Sequence, residues 1–321
     1  METQMILVTG GLGFIGLHTA RALLDLGESC VLTRYRANRQ PSFLADEIGE
    51  RVFIEQVDVA DAQAVLDVGS RHEITGIVHL AERGLGVPTL AGDGPRNAAP
   101  LMNVLRAARE WGVRRVSIAS AIGVYMNAGH SPLREDLPLP MTASHPLELM
   151  KKTAELLSGF VATDAKFEVV ILRIGGVYGP LYHNMTNWGV AARLVHPALK
   201  GEPPEFTPEF QPHAEDGIDW CYVKDCGRAI ALLQTATALR HRVYNVGTGH
   251  PTTNGDFAAA VNKAIPDAKI ELPAGRDPHG SGQDFYLDVG RIRADTGFEP
   301  AYDVDRGIAD YVDWLRAGNS Q

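Results

Sequence analysis

The residues best suited to chemistry lie in the first sixteen positions. Thr9-Gly-Gly-Leu-Gly-Phe-Ile-Gly16 follows the apolar run Met5–Thr9 and opens a helical pattern, the setting in which a glycine triplet binds a dinucleotide. Gly10 allows the tight turn, Gly13 lets the backbone approach a pyrophosphate, and Gly16 lets helix and strand pack closely. The helix start at Phe14 and Ile15 then offers free N–H groups and partial positive charge to phosphates. The second strand ends Val31-Leu-Thr-Arg34-Tyr-Arg36, with Arg39 beyond. An acidic residue usually closes that strand and binds a ribose 2′-hydroxyl. A guanidinium there suits a 2′-phosphate, so NADP is favoured over NAD. The competing reading is a solvated basic loop. Asp58, with Val59 beside it, follows the third strand and is a candidate for the adenine amino group or for a helix cap.

These residues need a frame, and the chain supplies one. Its 321 residues carry 45% hydrophobic and 21% charged side chains, with a net charge of -9, an ordinary globular composition. No Lys/Arg cluster favours nucleic acid. No apolar run reaches the roughly 18 residues of a membrane span, and a strand beginning at Met5 leaves no room for a secretory leader. Cys30, Cys221 and Cys226 lack metal spacing, so reduced buried thiols and a cytoplasmic location are expected, with no metal. Short apolar runs at Met5–Thr9, Ser29–Thr33, Val52–Gln56, Gly76–Leu80, Arg115–Ala119 and Val169–Ile174 alternate with helical patterns. A seventh run, Val243–Val246, follows the helix predicted around Asp225–Thr237. The pattern predicts an α/β, Rossmann-type doubly wound parallel sheet. Residues 1–174 and 218–249 form its dinucleotide-binding domain, and 175–217 with 250–321 a small substrate-binding lobe. The Pro-rich stretch Gly201–Pro212 and Ala274–Gly282 read as loops rather than a packed layer. A last helix over Val304–Leu315 is expected to dock on the lobe through its apolar face.

Several motifs in this order resemble the extended short-chain dehydrogenase/reductase family, which includes nucleotide-sugar epimerases and dehydratases. Thr9–Gly16 is similar to the family's TGGxGFIG loop. Ile77-Val-His-Leu-Ala81 resembles the segment that lines the cofactor through Leu80 and Ala81, and Asn97 matches the asparagine of the following helix. Leu172-Arg-Ile-Gly-Gly-Val-Tyr-Gly-Pro180, Trp220-Cys-Tyr-Val-Lys-Asp225 and Tyr244-Asn-Val-Gly-Thr-Gly249 resemble later family motifs. The resemblance covers nearly the whole chain. It implies an NAD(P)-dependent oxidoreductase, epimerase or lyase acting on a small polar or sugar-like substrate. It also implies a homodimer formed through the helix carrying Lys151 and the one near Ala98–Trp111.

The family's active site uses Ser/Thr, Tyr and Lys, with Tyr and Lys four apart on one helix face. Lys151 fits the lysine, which orients the cofactor ribose, and Glu155 follows it as in the usual pattern. Four residues earlier stands Leu147, and Ala121 of Ser120-Ala-Ile-Gly-Val-Tyr125 stands where the catalytic hydroxyl belongs. Leucine and alanine move no proton, and a positioned acid/base contributes typically about 10²–10⁴-fold. Candidate substitutes are Glu82, otherwise a loop carboxylate paired with Arg83, and His145, otherwise a helix cap before Pro146. Tyr125, a further catalytic candidate, and Tyr178 belong to family motifs and otherwise read as structural, though each could lie near substrate, as could Ser120. His183 and Asn184 open a polar loop suited to substrate. Glu148 and Lys152 read as a surface i,i+4 pair. A non-catalytic, dinucleotide-sensing protein is the alternative function.

Overall fold

The computed structural model describes residues 4–36, 39, 42–82, 98–182, 189–207, 211–280 and 282–319. Asn97, His183 and Asn184 therefore lie outside the described residues. The strands β1 (Met5–Thr9), β2 (Ser29–Arg34), β3 (Val52–Gln56), β4 (Gly76–His79), β5 (Arg115–Ala121) and β6 (Glu168–Ile174) join Val243–Val246 in one sheet. Every pairing is parallel, in the order Val243–Val246, β6, β5, β4, β1, β2, β3. The winding reverses between β1 and β4, the place where open α/β sheets leave a ligand crevice beyond the carboxyl ends of their strands.

Alternation along β1 explains the two layers. Ile6 and Val8 face helices α1 (Phe14–Asp25) and α6 (Val223–Thr235), meeting Leu17, Leu23, Ile230 and Leu233. Leu7 points the other way, into a second core. Helices α2 (Ala62–Arg71), α3 (Ala98–Trp111) and α4 (Pro146–Val161) supply it with Val65, Val68, Leu101, Val104 and Leu157. With both faces covered, the strands carry consecutive apolar residues, which is why they were legible.

Beyond Gly175, the stretches Gly201–Pro212 and Ala274–Gly282 are irregular where described, as their composition predicts, and the segments around them form a helical layer. Helices α5 (Val190–Lys200), α7 (Asn254–Ala264) and α9 (Val304–Arg316) share a third core through Leu194, Val195, Phe257, Val261, Ile308 and Tyr311. The short α8 (Gly290–Thr296) adds Ile292 to the first core. Helix α7 starts Asn-Gly-Asp, which reads as a turn. It is launched by a reciprocal cap in which Thr253 Oγ1 accepts from Asp256 N at 3.0 Å and the Asp256 carboxylate from Thr253 N at 2.8 Å. Such a box satisfies two backbone donors at a helix start. Among the described residues no helix is long and apolar enough to cross a membrane. The three cysteines are buried and free.

Candidate active site

The glycine turn sits at the switch point, and its geometry leaves no room for side chains. Gly10 has φ 67°, and a Cβ there would lie 3.0 Å from Ala81 N and 3.1 Å from Ala81 Cα. A Cβ on Gly16 would lie 2.4 Å from Gly10 O. Gly13 caps α1 without any side-chain hydrogen bond, unlike α2, where Asp61 accepts from Gln63 N and Ala64 N. The first N–H groups of α1, on Phe14, Ile15 and Gly16, thus meet no capping side chain among the described residues. A backbone cradle kept free of Cβ atoms and opening on an uncapped helix start fits a pyrophosphate. The residues present therefore fit a dinucleotide.

Around the turn, β1 and β4 are tied by a polar bridge. Thr9 Oγ1 lies 2.7 Å from His79 Nδ1 and accepts from Ala81 N at 3.3 Å. Burial, with the charge of Lys151 adding to it, pushes the His79 imidazole down to about 3, so it is neutral at physiological pH. Leu80 donates its N–H to Thr9 O at 3.2 Å. Arg34 ends β2 half-buried beside Gln56. Asp58 forms a turn rather than a cap, its carboxylate accepting from Ala60 N at 3.0 Å, while Asp61 caps α2. Val59 is buried and its carbonyl accepts from Asn103 Nδ2 at 3.1 Å.

Beyond the turn, β4, β5 and α4 bring a second group of polar side chains together. Lys151 Nζ donates to Ala119 O at 2.8 Å and stands 2.7 Å from Glu82 Oε1. The Lys151 side chain is 8% exposed and that of Glu82 34%. Glu82 directly follows Ala81, whose backbone abuts Gly10, so the ion pair adjoins the glycine turn. Of the two readings of Glu82, a substitute acid/base or a loop carboxylate paired with Arg83, the second involves a residue outside the described ones; the described partner of Glu82 is Lys151. One helical turn before Lys151 stands Leu147, and β5 ends in Ala121, both half-buried.

Strand alternation sends Ser120 to the α4 side of β5. There its hydroxyl donates to Glu155 Oε1 at 2.5 Å. Arg173 grips the same carboxylate through Nε at 3.0 Å and Nη2 at 2.7 Å. Arg173 Nη1 also donates to Tyr125 Oη at 2.9 Å, and that phenol donates to Asn245 Oδ1 at 2.8 Å. Tyr125 is fully buried, and burial pushes its phenol up to about 12. Ser120 and Tyr125 thus belong to a buried network that fastens β5, β6 and α4 together. Tyr178 stands in the third core, edge-on to Phe257 at 4.9 Å and Tyr222 at 5.3 Å, its phenol pushed up by burial.

At the start of α4, His145 is exposed and its Nδ1 accepts from Leu147 N at 3.2 Å, a helix cap ahead of Pro146. Glu148 and Lys152 are paired at 2.7 Å, but buried rather than on the surface. Lys152 Nζ also donates to Pro140 O at 2.6 Å and Thr142 O at 2.8 Å, and Glu148 accepts from Ser144 N at 2.8 Å. These bonds draw the chain before α4 inward, which a helical-wheel reading of the pair alone does not reveal. Sequence reading also passed over His79, although it stands inside the quoted segment Ile77–Ala81 and two residues before Ala81. Among the described residues no group of three or more His, Cys, Asp or Glu could hold a metal.

A parallel doubly wound sheet with a glycine cradle at its switch point defines a dinucleotide-binding Rossmann protein. Residues 6–247 match the NAD dependent epimerase/dehydratase family, and the chain belongs to that family. It is 24% identical to a putative UDP-glucose 4-epimerase of Methanocaldococcus jannaschii, over 98% of this chain and 99% of the relative. It is 24% identical to a dTDP-glucose 4,6-dehydratase of an Actinoplanes species, over 98% of each. The Thermus thermophilus UDP-glucose 4-epimerase, solved in complex with NAD, superposes with a TM-score of 0.77 at 27% identity, covering 98% of this chain and 99% of that one.

Proposed function

We propose that this chain is a nicotinamide-dinucleotide-dependent enzyme of nucleotide-sugar or related sugar-like substrates whose proton handling has passed to the Lys151–Glu82 pair. The observation that carries the reading is the position of that pair, 2.7 Å apart and adjoining the Gly10 turn. The names of the relatives, a UDP-glucose 4-epimerase and a dTDP-glucose 4,6-dehydratase, support the substrate class. Gly10, Gly13 and Gly16 would hold the pyrophosphate, Leu80 and Ala81 would line the coenzyme, and Lys151 would orient its ribose. A nicotinamide ring, when bound, supplies acceptance and return of hydride. The side chains at 121 and 147 hold no proton, so the Glu82 carboxylate accepts the substrate hydroxyl proton while Lys151 steadies the alkoxide that forms. Residues 175–217 and 250–321 form the lobe that closes over the sugar.

Arg34, at the tip of β2, favours the 2′-phosphate of NADP over NAD; the ratio of their dissociation constants checks this. A homodimer through α3 and α4 is supported by exposed Leu149, Leu156 and Phe160 on one stripe of α4 and Met102 on α3. Free buried thiols suit the cytoplasm.

The test is turnover of UDP- and dTDP-hexoses with either coenzyme, followed by nicotinamide absorbance and product NMR. Glu82→Gln is expected to lower kcat by about 10²–10⁴. Leu147 and Ala121 favour a second reading, a non-catalytic dinucleotide sensor. Coenzyme binding without turnover of any substrate in the panel would establish that reading and reject the first.

A further inference from the structure

The charges along the site-facing half of α4 are matched one against one. Glu148 is paired with Lys152 and Glu155 with Arg173. Lys151 has Glu82. Among the described residues, His79 also feels the charge of Lys151, and it is buried against Thr9 Oγ1 and held neutral. Among the described residues, Glu82 is the carboxylate that reaches Lys151 from outside the helix, and it balances that charge.

We infer that Glu82 determines which oxidation state of the nicotinamide coenzyme the protein prefers. The inference rests on the reading above that Lys151 orients the coenzyme. An oxidised nicotinamide ring is a cation and the reduced ring is neutral. An ammonium without its carboxylate repels the first and leaves the second untouched. With Glu82 2.7 Å away, the pair is a dipole and the penalty on the oxidised form is cancelled. Lys151 is nearly buried and Glu82 is one-third exposed, so water screens part of the carboxylate's field. That limits the effect to about three- to tenfold.

The test is binding alone, measured by calorimetry for both oxidation states on the full chain. Glu82→Gln keeps the shape and removes the charge. The ratio of oxidised to reduced dissociation constants is expected to rise about three- to tenfold. Glu82→Asp, which keeps the charge, is expected to hold the ratio within about twofold of the parent. Glu82→Ala repeats the measurement without an amide to bond Lys151, and the same rise is expected. A ratio unchanged in both neutral variants overturns the inference, even if both affinities fall, because a purely structural partner of Lys151 would weaken both forms alike. Failure of the unsubstituted chain to bind either form strikes the proposed function instead.

Discussion

The two halves of the crevice are specified by different parts of the chain. At the β1–α1 turn the backbone does the work, since Gly10 and Gly16 act by lacking a Cβ and the first N–H groups of α1 act by lacking a cap. At the β5–α4 side the work falls to side chains, namely Lys151, Glu82 and the network around Arg173. A backbone site admits no substitution without losing its shape. A side-chain site can be rewritten at single positions while helix and strand stay in place. Leu147 in α4 and Ala121 at the end of β5 are side chains of this kind, each seated in an intact element.

The sharpest way to break this contrast is Gly16→Val. Its Cβ would fall 2.4 Å from Gly10 O, so coenzyme affinity is expected to drop by at least about 100-fold, the order lost when a preorganised phosphate cradle is misplaced. Calorimetry checks this, with thermal melting as control; retained affinity would remove the backbone half of the comparison. Next is Arg173→Met. It leaves the Glu155 carboxylate, 11% exposed, without its guanidinium, and a loss of about 3–5 kcal/mol in urea unfolding is expected. A loss under about 1 kcal/mol would mean that the side-chain half is held by packing instead.

Acid sharpens the comparison further. The imidazoles of His79 and His18 are lowered from 6.5 to about 3 and about 4 by burial. The unfolded chain therefore binds these protons before the folded one does. Their contribution is complete above about pH 6.5 and fades as pH falls towards those lower values. Each costs up to about 1.4 kcal/mol per pH unit over that interval. Urea midpoints between pH 7 and 4 check it, and a flat curve would contradict it. The smallest effect is His145→Ala. The histidine is an exposed cap, so about 0.5–1 kcal/mol is lost, with coenzyme affinity unchanged; a large fall in kcat would give it a catalytic part.

Strands buried on both faces announced themselves as apolar runs, and the sheet was legible to within a residue or two at most ends. Helices α5 and α7 were not. Pro197 sits inside one and Asn-Gly-Asp opens the other, so local preference points to turns and only tertiary packing overrides it. In the site, the glycine turn was readable because its spacing depends on neighbours along the chain. The partners of Glu82 and Ser120 were not, because they lie far off in sequence. Ser120 and Glu155, 35 residues apart, meet only once β5 and α4 have docked. The burial of Glu148 and Lys152 was hidden for another reason, since the Pro140 and Thr142 carbonyls that accept from Lys152 lie in irregular chain before the helix, whose path the helical pattern does not give.

Adjacent lysines on α4 have a bearing on how the helix finds its place. Lys151 is satisfied by Ala119 O and Glu82, and Lys152 by Pro140 O, Thr142 O and Glu148. A slip of α4 by one residue would bring one ammonium towards the other's acceptors and carry the second away from its own, at a cost of several kcal/mol. The doubled lysine therefore acts as a two-tooth key: it lets the helix seat against the sheet in a single rotational setting.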